Sequence, residues 1–177
     1  MSNSARDRVL VACIGNIFLG DDGFGCAVAR QLETMKTRPE IEVVDYGIRG
    51  LDLAYALLEP RRAVVFVDAI MREGSPGTIY VLQCVDTMSE PSQPATIDPH
   101  SMDPSNLLSM ARSLGDVNGE IYIIGCEPTD FGDELIGRMG LSEVVRSAVP
   151  EAARTVLELI DRILPLQARS PAKIFAT

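Results

Sequence analysis

Nowhere do the four cysteines, Cys13, Cys26, Cys84 and Cys126, form a CxxC pair. This argues against a structural zinc site and, in a chain expected to be cytosolic, leaves them as reduced, buried, small apolar residues. The opening residues Met1 to Arg8 are polar and lack the apolar core of a signal peptide. No apolar run reaches the roughly 20 residues that a spanning helix needs, so a cytoplasmic protein is expected. Basic residues are scarce, 16 Lys and Arg against 25 Asp and Glu, giving a formal net charge of -9. That balance repels phosphate backbones and anionic lipid, so neither nucleic acid nor a membrane is expected as a partner. Histidine is scarcer still, with His100 standing alone.

What is present is apolar and patterned. A hydrophobic content of 46% in 177 residues suits one globular domain with a real core. The domain is expected over 1–164, and the tail 165–177, which has no clear periodicity, is expected to be poorly ordered. Val9 to Ile14 and Ala63 to Val67 are continuous apolar runs, the pattern of parallel strands buried on both faces. Between them come a helix from Phe24 to about Thr37, a strand at Ile41 to Asp45, and a short helix around Leu51 to Leu58. Only Ala69 to Gly77 separates the third strand from a fourth at Thr78 to Gln83, too short for a parallel crossover, so the fourth is expected to be antiparallel. Asp103 and Pro104 open a helix that ends at Gly115; a fifth strand, Ile121 to Ile124, and a last helix capped by Ser142 follow, with Pro150 expected to kink or split it. The expected fold is α/β, a single-domain three-layer sandwich with a five-stranded, mostly parallel twisted sheet and one antiparallel strand.

The most informative stretch follows the first strand: Gly15-Asn16-Ile17-Phe18-Leu19-Gly20-Asp21-Asp22-Gly23-Phe24-Gly25. Gly15 and Gly20 have the glycine spacing of a phosphate loop, but Asp21 and Asp22 stand where such a loop needs a lysine and a hydroxyl. Two carboxylates repel phosphate, so a nucleotide or flavin domain is disfavoured and a cation suits the turn better. Either carboxylate could also cap the following helix. A parallel arrangement of the first three strands brings Asp22, Asp45 and Asp68 to one edge of the sheet. If the fifth strand runs parallel to the third, His100 joins Asp22 and Asp68 there. An imidazole and two carboxylates from three loops make a plausible divalent transition-metal site, or a carboxylate pair able to activate water.

The succession Ile14-Gly15-Asn16 to Asp21-Asp22-Gly23-Phe24-Gly25, then Asp45-Tyr46-Gly47-Ile48-Arg49-Gly50, Val67-Asp68-Ala69 and His100-Ser101-Met102-Asp103 resembles the ordered motifs of the nickel-iron hydrogenase maturation proteases. The resemblance implies an endopeptidase, grouped with aspartic-type peptidases, that removes the C-terminal extension of a hydrogenase large-subunit precursor after nickel insertion. It implies Asp22, Asp68 and His100 as nickel ligands, Asp22 and Asp68 as catalytic groups, and nickel supplied by the substrate with no organic cofactor. Hydrolysis assisted by the metal, with Asp22 or Asp68 orienting water, is equally open. A non-hydrolytic nickel-sensing chaperone of the same fold would use the same three residues. The second motif departs from the family's usual Asp-Gly-Gly-Thr-x-Gly at Tyr46 and Ile48, in a loop suited to substrate contact.

Overall fold

A computed structural model of the chain describes residues 7–84, 103–132 and 136–164. His100 and the tail 165–177 lie outside the described residues. The elements run β1 (Val9–Ile14), a 3-10 turn (Gly20–Gly23), α1 (Phe24–Glu33), β2 (Ile41–Gly47), α2 (Gly50–Ala56), β3 (Ala63–Ala69), β4 (Ile79–Cys84), α3 (Pro104–Leu114), β5 (Glu120–Cys126) and α4 (Glu143–Ile163).

The sheet order is β2-β1-β3-β5-β4, parallel throughout except for the β4–β5 pair. Every residue of β1 and of β3 is buried, as their unbroken apolar runs require of strands covered on both faces. Alternation along these strands sorts the core into two layers. Val9, Val11, Cys13, Val65 and Val67 pack with α1 and α4, while Leu10, Ala12, Ile14, Val64 and Phe66 pack with α2 and α3. The result is the expected three-layer sandwich. From β1 the chain crosses to β2 on one side and later reaches β3 on the other, so the switch point of the topology lies between the C-terminal ends of β1 and β3. Open α/β sheets bind their ligands at such crevices.

Several local expectations need correction. Helix α1 stops at Glu33 rather than near Thr37, because the Thr34 hydroxyl donates to the Gln31 carbonyl at 2.7 Å and competes with continuation of the helix. Strand β2 continues past Asp45 to Gly47. Pro150 does not split α4, which runs unbroken from Glu143 to Ile163. Pro150 is on the exposed side, where the carbonyl left without a donor meets water, while Val145, Val149, Ala152 and Val156 hold the helix to the core. Cys13, Cys26 and Cys126 are buried as free thiols, but Cys84, ending the edge strand β4, is only half-buried.

Candidate active site

Ile14 ends β1, and the chain leaves the sheet at Gly15 with φ of 138°, a conformation open mainly to glycine. A Cβ there would fall inside contact distance of the Asp22 carbonyl. A side chain at Gly25 would likewise meet the Ile14 and Val67 carbonyls, so α1 begins hard against the ends of β1 and β3. These two close approaches seat the acidic turn over the switch point.

Within the turn the two aspartates part company, and neither caps α1, whose N-cap is Gly23 with no side-chain hydrogen bond. Asp21 is fully buried. Its carboxylate accepts from the Ser142 N–H at 2.6 Å, the Ser142 hydroxyl at 2.9 Å and the Thr129 N–H at 2.9 Å, tying the turn to the start of α4. Burial pushes its pKa up, but the bonds from Ser142 and Thr129 outweigh burial and hold it below the usual carboxylate value. The expected capping of the following helix is therefore not found; Asp21 instead anchors Ser142, the residue that caps α4, 121 residues away in sequence.

Asp22 accepts one described hydrogen bond, from the Asn16 N–H at 2.7 Å. Burial raises its pKa, with only that bond opposing. Asp68, at the end of β3 and 7% exposed, accepts from the Ala69 N–H at 2.8 Å. Burial first, then the nearby Asp22 charge and, more weakly, Asp103, drive its pKa well above the ordinary value. Two carboxylates are therefore close enough to repel each other at the switch point. Asp103, whose side chain caps α3 through the Ser105 and Asn106 N–H groups, brings the start of that helix to the same edge. Its influence on Asp68 was not legible in the sequence, where only its capping pattern stood out.

Asp45, the third aspartate of this edge, turns its carboxylate to the Gly47 N–H at 3.0 Å and shapes the loop after β2. A cavity of about 360 Å³ opens between that loop and residues 15–18, lined among others by Phe18, Arg30, Tyr46 and Ile48. Sequence patterns pointed to the loop and gave no sign of Arg30. Among the described residues no group of three His, Cys, Asp or Glu side chains is placed to hold a metal ion; of the three ligands expected, Asp22 and Asp68 are described and His100 lies outside those residues.

An α/β sandwich with a repelling carboxylate pair at its switch point is a scaffold for hydrolysis or cation recognition. The family model for hydrogenase maturation proteases matches residues 26–159. The chain belongs to that family, and its activity is that of a peptidase. A Methanocaldococcus jannaschii protein, provisionally named a hydrogenase maturation protease, is 35% identical over 155 residues, covering 86% of this chain and 95% of its own. The hydrogenase 2 maturation protease of Escherichia coli is 28% identical, covering 85% of this chain and 88% of its own. Among solved structures, the E. coli hydrogenase maturating endopeptidase HybD shares the fold with a TM-score of 0.70 at 24% identity, over 88% of this chain and 93% of its own. No helix among the described residues is long and apolar enough to cross a membrane.

Proposed function

We propose that the protein is the endopeptidase that removes the C-terminal extension of a nickel-iron hydrogenase large-subunit precursor once nickel has been inserted. The observation that carries this reading is the pair Asp22 and Asp68, two carboxylates with raised pKa values meeting at the switch point with no cation paired to either among the described residues. The names of the relatives, which tie them to hydrogenase maturation, support it.

In this reading the nickel belongs to the substrate. Before substrate arrives, burial and the neighbouring Asp22 charge disfavour ionisation of Asp68. A nickel centre presented by the precursor, with His100 as the nitrogen donor, supplies the positive charge that lets both carboxylates ionise. A precursor without nickel brings no positive charge to favour ionisation of the second carboxylate, and this is the checkpoint. Asp22, half-exposed and ionised more readily, orients a water molecule against the scissile carbonyl. The water oxygen bonds to the carbonyl carbon, the C–N bond breaks, and the water proton leaves with the amine. The aspartic-type assignment rests on these two side chains.

Incubation with nickel-loaded and nickel-free precursor, followed by mass spectrometry, tests the reading. A single cut near the C-terminus of the loaded precursor alone is expected. Tight binding of the loaded precursor with no cut would favour a nickel-sensing chaperone, and cutting of both forms would remove the checkpoint.

A further inference from the structure

The cavity beside Asp22 has a role that the carboxylate pair leaves unassigned. Its walls are residues 15–18 on one side and 45–49 on the other, joined at the base by the Gly15 N–H donating to the Gly47 carbonyl at 3.1 Å. The second wall is braced from within. Asp45 accepts from the Gly47 N–H, the Arg49 Nε–H donates to the Tyr46 carbonyl at 3.1 Å and the Arg49 Nη2 to the Asp45 carbonyl, and the Arg49 guanidinium lies 5.8 Å from the Tyr46 ring centre. Tyr46 is spent on the core, where it packs with Leu53 and Leu57. Ile48 is not: 64% of its surface is exposed, and Phe18 on the other wall is 57% exposed. Two large apolar side chains, one of them on a braced loop, thus line one cavity.

We infer that this cavity seats an extended stretch of the substrate polypeptide next to the cut, with a bulky apolar side chain received between Phe18 and Ile48. The inference rests on the peptidase reading above and adds what the enzyme selects. Continuity with the active site decides the occupant: Asn16 lines the cavity and its N–H donates to the Asp22 carboxylate, so a segment filling the cavity lies next to the carboxylate pair. A volume of about 360 Å³ is at the small end of ligand pockets, roughly 300 to 1,000 Å³, and holds a short peptide segment rather than a folded element. Arg30, exposed at the rim and in no ion pair among the described residues, offers its guanidinium to the carbonyl oxygens of that segment.

The test uses the full-length protein and a fluorescein-labelled peptide of the precursor's C-terminal segment, with binding read by anisotropy and processing of whole precursor read separately. Ile48→Glu is expected to weaken peptide binding and raise KM about tenfold, the loss from leaving one apolar side chain unburied, with less effect on kcat. Its melting temperature should match that of the wild type, since the side chain is exposed. Replacing the seated apolar residue of the peptide by Asp should have the same effect on the wild type, and Ile48→Lys should recover that Asp peptide. A wild type that binds the peptide but cuts no precursor, with binding lost in Ile48→Glu, would uphold the cavity and sink the peptidase mechanism. Normal cutting with unchanged KM and no rescue by Ile48→Lys would overturn the cavity assignment and leave the peptidase reading standing.

Discussion

At the edge of the sheet where β1, β3 and β5 begin, charges are matched. Arg61, its side chain 2% exposed, is held by Glu42 and Glu59, Arg62 pairs with Glu120 at 3.1 Å, and Arg8 reaches Glu59. At the opposite edge, where β1 and β3 end, neither Asp22 nor Asp68 has an ion pair among the described residues, and each is pushed toward its neutral form. The strands between are the same, so the contrast arises from what the loops bring. A fold selected for stability alone would neutralise both edges. Leaving one pair of carboxylates uncompensated costs stability, and in the proposed function that cost prepares a place for a cation or a reacting water.

The contrast can be broken from the reactive side first. Asp68→Asn keeps the size of the side chain and removes its charge; precursor processing is expected to fall by roughly 100-fold or more. Full processing by this variant would remove Asp68 from the chemistry. Asp21→Ala addresses the one aspartate of that edge that is fully satisfied. It orphans the N–H groups of Thr129 and Ser142, with an expected loss of about 3 kcal/mol in denaturant unfolding. A loss under about 1 kcal/mol would show that water replaces the carboxylate.

The pH dependence of stability sharpens the comparison further. Asp68 and Asp22 have raised pKa values in the folded state, so their protonated forms favour folding at low pH. That contribution is complete below the ordinary value of 3.8 and is lost as pH rises through the folded values. Asp21 works in reverse, its contribution present above 3.8 and lost as pH falls through its depressed value. The melting temperature of Asp68→Asn relative to wild type should therefore climb as pH rises from 3.8 toward neutrality. A constant difference across that range would mean that Asp68 is not strained. The smallest effect belongs to the matched edge. Arg62→Ala breaks a largely exposed pair and should change stability by no more than about 0.5 kcal/mol by thermal melting.

Much of this was legible from local pattern. Continuous apolar runs identified the central strands, a connection too short for a crossover identified β4 as antiparallel, and the cap residues Asp103 and Ser142 located the starts of α3 and α4. Those signals are local, and local chemistry fixes them. The division of labour between Asp21 and Asp22 was not legible, since both are acidic residues at one turn and the difference is made by Ser142 and Thr129, which only the fold brings near. The expected split at Pro150 fails for a similar reason: its cost inside a helix is local, while the packing that holds α4 together comes from α1 and the sheet. Arg61 next to Arg62 gave no hint that one would be buried among glutamates. The pairing of Asp22 with Asp68 was foreseen because parallel topology alone places both strand ends on one edge.

Gly15 has no side chain to contribute to any reaction, yet the space its Cβ would need is taken by the Asp22 carbonyl, and Gly25 stands in the same relation to Ile14 and Val67. A saturation-mutagenesis library scored on precursor processing would therefore find positions 15 and 25 as intolerant as positions 22 and 68. Ranked by intolerance alone, backbone fit and chemistry would look identical. The two kinds of position separate in a melting screen of the same library, where alanine at either glycine lowers the transition and asparagine at either carboxylate does not.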